Sequence, residues 1–235
     1  MAAFDEKRIY VSEDSVLGEN CTLLRDTDIE SSTLGKDVYV GEYTKIQHCE
    51  LGDNVRLERM NSLIYSKIGR FCYTGHNTTI RVATLGSFNS LSWNISIGGN
   101  NHDMDKVTTH SFLVYPKWNM GGDSHWKSQE EPCVLQNDIW VGAGSMILRG
   151  VTIGNGAIIG GGSVVTKNVE PYTIVVGNPA RAIKMRCNEK IAEKMLELEW
   201  WNFPKQVIKD NFELFHSTLT EEVVDKLFTI KDSIK

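Results

Sequence analysis

The feature that most constrains this chain is a six-residue period over residues 135 to 170, LQNDIWVGAGSMILRGVTIGNGAIIGGGSVVTKNVE. Each unit opens on an aliphatic: Leu135, Val141, Ile147, Ile153, Ile159 and Val165. Small or β-branched residues (Ile139, Ser145, Val151, Ala157, Ser163, Val169) take the fifth place. A period of six fits neither a 3.6-residue helix nor a two-sided strand, but it fits a chain that runs along a short face, turns a corner and starts the next face. Three faces make one coil of a triangular prism. With the aliphatics pointing down the axis, coils stacked at about 4.8 Å pair backbone to backbone as a parallel β-helix.

The same logic runs through the first part of the chain with a shorter coil. Leu17-Gly18, Leu34-Gly35, Leu51-Gly52, Ile68-Gly69 and Leu85-Gly86 recur every 17 residues, in units of six, six and five. Cys21 and Cys72 fall at the small inner-corner place, where an unpaired thiol serves as a small buried hydrophobe. His48 and His76 fall at outward places. Five coils of 17 cover residues 17 to 101 and two of 18 cover 135 to 170, which predicts a prism about 34 Å tall.

Between the two series, roughly residues 102 to 133, no hexad register holds. This stretch carries Pro116, Gly121, Gly122 and Pro132 and half of the six histidines. Excursions of this length are usually functional or disordered, and Tyr115, Trp118 and Trp126 suit a wall or lid, or a contact with a neighbouring chain. After the prism, VVGNPARAIKMR reads as an extended exit strand. Asn188 caps a helix carrying Ile191, Met195 and Leu198; Asn202 and Pro204 start a second, and Thr218 with Glu221 forms a capping box for a third. Trp200 and Trp201 read as helix-to-core contacts, and the helices as a cap on the prism's last strand edges. The chain divides into a β-helix domain, residues 1 to 183, and a helical extension, residues 184 to 235.

The 235 residues carry 25 Lys and Arg against 30 Asp and Glu, a net charge of -5, and this balance argues against a general nucleic-acid or anionic-membrane binder. No apolar run approaches a membrane span and the N-terminus lacks an apolar signal core, which predicts a cytoplasmic protein. Five cysteines without a CxxC pair form neither a disulfide framework nor a zinc site.

Five motifs occur in order: the NHDMD at 101 to 105, the hexads, NDIWVGAG, VVTKNVEPYTIVVGNPA and ELEWWNF. With them the chain resembles the xenobiotic acetyltransferase group of hexapeptide-repeat acyltransferases, which includes streptogramin A and chloramphenicol acetyltransferases and relatives that O-acetylate sugars of surface polysaccharides. The resemblance implies an all-β, left-handed parallel β-helix, a homotrimer with active sites between chains, and acetyl-CoA as cosubstrate. It also implies that His102 is the general base, the role an imidazole near neutrality fills when a hydroxyl attacks a thioester. Asn101, Met104 and Asp105 match the same motif, while Asp103 stands where several relatives have a basic residue. Trp140, Ala143, Gly161, Thr166, Lys167 and Lys184 match positions that meet acetyl-CoA. Asn101, Asp105, His110, Tyr115 and Trp118 are expected on the acceptor side, and His125 lies in the same loop.

Gly142, Gly144, Gly160, Gly161 and Gly162 serve either tight corners or a groove that lets a thin ligand approach the backbone. Lys167, Arg181, Lys184 and Arg186 place positive charge just beyond. Alternatives on the same prism are a sugar N-acetyltransferase, a γ-type carbonic anhydrase and a silent scaffold. The second needs three zinc-binding histidines, and only His102 stands at a plausible place. The expected metal content is none. The acceptor, an antibiotic or a sugar hydroxyl, is left open.

Overall fold

The computed structural model describes residues 8–99, 101–121 and 131–234. Three parallel sheets wrap a single axis, each taking one strand per coil. Sheet A holds eight strands, from β1 (Ile9–Val11) through β16 (Ser96–Gly98) and β19 (Met146–Ile147) to β22 (Val164–Val165). Sheet B holds seven, from β2 (Val16–Leu17) through β14 (Ala83–Leu85) and β17 (Cys133–Leu135) to β20 (Thr152–Ile153). Sheet C runs from β3 (Thr22–Leu23) through β12 (Tyr73–Thr74), β15 (Ser90–Leu91), β18 (Trp140–Val141) and β21 (Ile158–Ile159) to β23 (Thr173–Gly177), and β24 (Ala180–Met185) closes it antiparallel. This is a left-handed parallel β-helix with a small helical C-terminus.

The repeat explains the ladder. The first residue of each unit becomes an inward rung: Ile29, Ile46, Leu63, Ile80, Ile97, Ile147 and Val165 on sheet A are all essentially inaccessible. A full Ile or Leu burial contributes about 1.5–3 kcal/mol, so the stack is the dominant stabilising element. Corners need a left-handed residue at each turn, and early coils supply it without glycine: Asn20, Asp37, Asn54, Phe71 and Phe88 form one column of positive φ. In the later coils Gly144, Gly150, Gly156 and Gly162 take such places. The five-residue unit is the A-to-B corner, where Ser31, His48, Tyr65 and Val82 turn the chain in one left-handed step.

Sheet A starts at Ile9, earlier than the glycine register shows, because the first coil covers an open end and its strand residues Ile9 and Tyr10 stay exposed. The excursion leaves the A-to-B corner after Gly98 and rejoins at Cys133, whose strand pairs with β14 as if nothing intervened. Buried Asn89 sews this junction: its amide donates to Gly86 O and Gln136 O while its Oδ1 accepts from Ile139 N. Cys72 is buried at its inner corner and Cys21 half-buried, and their thiols donate to Gly86 O and Gly35 O.

The exit strand β24 runs to Met185, and α1 (Glu189–Leu198) follows, with Asn188 Oδ1 accepting from Ile191 N at 2.9 Å. Helices α2 (Lys205–Asp210), α3 (Phe212–His216) and α4 (Glu221–Ser233) complete the tail. Pro204 precedes α2 as expected, α3 was not foreseen, and the cap of α4 is Thr220 rather than Thr218. Glu221 then opens the helix, and Thr220 Oγ1 accepts from Val223 N. The tail folds back along the prism's flank and packs on the B-to-C corner. Arg70 Nη2 donates to Trp201 O at 2.8 Å and to Phe203 O at 2.6 Å, Lys205 reaches Asn54, and Trp200 meets Phe88 at 4.7 Å between ring centroids.

Candidate functional site

His102 stands at the root of the excursion, exposed, four residues past β16. Its Nδ1 lies 2.6 Å from Thr109 O. A carbonyl only accepts, so the contact places a ring proton on Nδ1 and fixes the orientation of the ring. His110 has the opposite tautomer: its Nδ1 accepts from Phe112 N at 3.1 Å, capping a short 3-10 turn at Ser111–Leu113. The proton of its neutral ring therefore sits on Nε2. Geometry alone separates the two histidines.

The rest of the loop gathers aromatic surface. Trp118 meets His110 edge-on at 5.5 Å, and Lys117 Nζ lies 4.6 Å above the Tyr115 ring. Asn101 and Asp105 are exposed near His102. His125 and Trp126, and Gly122, lie outside the described residues.

The positions matched to acetyl-CoA fall in two places. Thr166 and Lys167 stand at the A-to-B corner, the corner from which the excursion departs, two rungs further along the ladder of β16, β19 and β22. Lys167 shares a hollow of about 290 Å³ with Arg181 and Ala182. Trp140, Ala143, Gly161 and Lys184 instead belong to sheet C and the C-to-A corner. Trp140 and Lys184 share one outward column, Trp140–Ile158–Ile174–Lys184. Sheet A separates the two groups within one chain.

The glycines divide by cause. A Cβ on Gly142 would strike Gly161 N at 2.5 Å, and one on Gly160 would strike Val176 at 2.6 Å; these two are needed for coil-to-coil packing. Gly144 and Gly162 turn with φ of 69° and have open space where a side chain would go. Between them, the N–H groups of Ala143 and Gly161 make no hydrogen bond among the described residues, although Gly142, Gly144 and Gly162 all donate to neighbouring coils. Two open backbone donors thus lie one rung apart, about 4.8 Å. A thin chain carrying amide carbonyls fits that spacing.

Sequence reasoning passed over the outward column of sheet C below Trp140, which reads Tyr39, Arg56, Tyr73, Ser90, Trp140. The signal was the 17-residue spacing of outward residues. At the far side of the same sheet Arg186 Nη1 pairs with Asp138 Oδ2 at 2.8 Å. Burial pushes the Asp138 carboxyl above its usual range, with Arg186 opposing the shift. Among the described residues no three potential metal ligands cluster, and no helix is long and apolar enough to cross a membrane.

The bacterial transferase hexapeptide family, in its six-repeat description, matches residues 132–167. A probable macrolide acetyltransferase of Lysinibacillus sphaericus is 36% identical over 157 residues, 64% of this chain and 86% of that protein. A chloramphenicol acetyltransferase of Klebsiella aerogenes is 38% identical over 131 residues, covering 53% of this chain and 61% of that one. Among solved structures, an N-acyltransferase from Bacillus cereus in complex with dTDP and coenzyme A aligns with a TM-score of 0.49 at 20% identity, over 79% of this chain and 88% of that one. A three-sided prism built on a six-residue repeat, together with the macrolide acetyltransferase relative covered over 86% of its length, identifies the class as hexapeptide-repeat transferases. The chain belongs to the hexapeptide-repeat acetyltransferases.

Proposed function

We propose that the protein is an acetyl-CoA-dependent O-acetyltransferase whose general base is His102. The observation that carries the reading is the Nδ1 contact to Thr109 O, which puts a proton on Nδ1 and orients the ring at the root of the excursion. In this scheme Nε2 removes the proton of an acceptor hydroxyl as that oxygen attacks the thioester carbonyl carbon. The tetrahedral intermediate collapses with loss of the C–S bond, and the imidazolium returns its proton to the departing thiolate. The products are an acetyl ester and free coenzyme A.

Residues present in the chain fit the cosubstrate. The open N–H groups of Ala143 and Gly161 would hold the amide-bearing arm, Trp140 and Thr166 would flank it, and Lys167 and Lys184 would meet its phosphates. Because sheet A separates these groups in one chain, a homotrimer with sites between chains is the assembly we propose: the A-to-B corner of one subunit, with its His102, faces the C-to-A corner of the next. Asn101, Asp105, His110, Tyr115 and Trp118 would then wall the acceptor, a small-molecule or sugar hydroxyl.

A thermal-shift titration tests the reading. Acetyl-CoA at about a hundred times its dissociation constant stabilises by about 2.7 kcal/mol, or roughly 5 to 10 °C in a chain of this size. No shift at saturating acetyl-CoA would remove the cosubstrate, and the reaction with it.

A further inference from the structure

Two hollows of about 330 and 320 Å³ on sheet C share Tyr73 and Trp140 and so form one groove. These rings stand two rungs apart in one column, with the small Ser90 as the rung between. Two ladder steps span about 9.6 Å. A flat ring held between two aromatic faces needs about 7 to 8 Å, twice the carbon contact distance, so the slot has room for a thicker, puckered ring. Tyr73 and Trp140 are each at least half exposed, at 50% and 54%, and so are open to a guest, while the neighbouring Trp93 is stacked on His76.

The Asp138–Arg186 pair lines one hollow, and the polar end of the other is built around Arg56, the rung next to Tyr73. Its guanidinium lies 4.1 Å over the Tyr39 ring, and its Nε donates to Glu58 Oε1 at 2.9 Å. These contacts fix the plane of the fork, while Nη1, Nη2 and the second Glu58 oxygen make no hydrogen bond among the described residues. Donors and an acceptor therefore sit beside an aromatic slot. A sugar ring presents a C–H face to aromatics and an edge of hydroxyls that both donate and accept. An apolar guest would strip water from Arg56 and Glu58 and return nothing.

We propose that this groove binds a saccharide, its ring between Tyr73 and Trp140 and its hydroxyls on Arg56 and Glu58, and that this sugar is the acetyl acceptor. The proposal rests on the acetyl-transfer reading above. Ala143 follows Trp140 by three residues at the adjoining corner, so a sugar held here lies beside the residues matched to the cosubstrate. Arg56 is thereby a specificity-determining residue.

The test uses the full chain with acetyl-CoA and two groups of acceptors: methyl hexosides and N-acetylhexosamines, as mono- and disaccharides, and the apolar antibiotics chloramphenicol and streptogramin A. Coenzyme A release reports turnover, and saturation-transfer NMR reports sugar contact. The expected result is acetylation of a sugar with saturation of its ring protons. Arg56→Ala and Tyr73→Ala should each raise the sugar's KM by about tenfold or more at unchanged acetyl-CoA KM, with Arg56→Lys and Tyr73→Phe recovering part of the loss. Melting temperatures identify any variant that fails to fold, and the conservative pair then decides. Antibiotic turnover with no sugar bound or acetylated overturns the sugar proposal and leaves acetyl transfer standing, as does a sugar KM indifferent to Arg56→Ala. Failure of acetyl-CoA to bind overturns the underlying reading instead.

Discussion

The prism and the helical tail are stabilised in different ways. In the prism one continuous core runs from Ile29 to Val175, and every coil repeats the hydrogen bonds of its neighbours. The tail has a separate core around Met195, Leu198, Phe203 and Val224, capped by Tyr172 from the prism's end. It is fastened to the flank by a few side-chain contacts at Arg70, Phe88 and Asn54. A periodic core spreads its stability over many equivalent rungs, whereas a docked tail concentrates its attachment in a few side chains. The first should lose most when a rung is hollowed, and the second should come loose locally.

Ile97→Ala tests the stronger half of that contrast. Ile97 is buried between Ile80 and Ile147 beside the excursion, and its truncation should lower unfolding free energy by about 2–5 kcal/mol in denaturant titration. A loss within surface values, about 0.5 kcal/mol, would mean that the rungs relax independently. Arg70→Ala is the smaller, local counterpart. Removing two charge-assisted bonds to the carbonyls of Trp201 and Phe203 should cost about 1.5–3 kcal/mol, read as faster amide exchange in α1 to α4 with the prism unchanged. Equal acceleration in both regions would erase the distinction.

The smallest effect belongs to Glu221, which meets Lys190 and Lys194 at 2.6 and 3.0 Å on the tail's surface. Hydrogen bonds from Lys190 and Lys194 hold its carboxyl below the ordinary value of 4.5. A depressed carboxylate contributes stability above its unfolded pKa and loses it as pH falls through the folded value. Glu221→Gln should therefore lower the melting temperature slightly at pH 7, with the difference fading below about pH 4.5. A difference that grew on acidification would reverse the sign.

The prism was legible because a six-residue period leaves a residue at the same inward place in every coil, and Ile, Leu and Val at those places announce themselves. The histidine proposed as the base was marked out by the short NHDMD motif. Other features depend on neighbours remote in the chain. Arg56, Tyr73, Ser90 and Trp140 look like scattered surface residues until the coils stack, because the excursion shifts the 17-residue spacing before Trp140. In sequence Gly142 and Gly160 suit a tight corner or a ligand groove equally, and Gly161 and Val176 of adjacent coils explain them by packing. Thr218 and Thr220 both suit a cap, and only the backbone, extended at Thr220 with φ of -125°, selects the second. That the tail lies along the flank follows from Arg70 finding two helix-end carbonyls, a match that no local pattern records.

The proposed chemistry lies in the excursion that interrupts the prism, with His102 as the base. The most direct measurement is turnover and acetyl-CoA affinity of His102→Ala beside His110→Ala, each with its melting temperature. Loss of a general base should lower the turnover of His102→Ala by about 10² to 10⁴, with affinity and melting temperature close to the parent's. His110→Ala, whose Nδ1 caps a turn, should keep its turnover and change only acceptor KM. Retention of more than about a tenth of parental turnover by His102→Ala, or the larger loss in His110→Ala, would contradict the assignment.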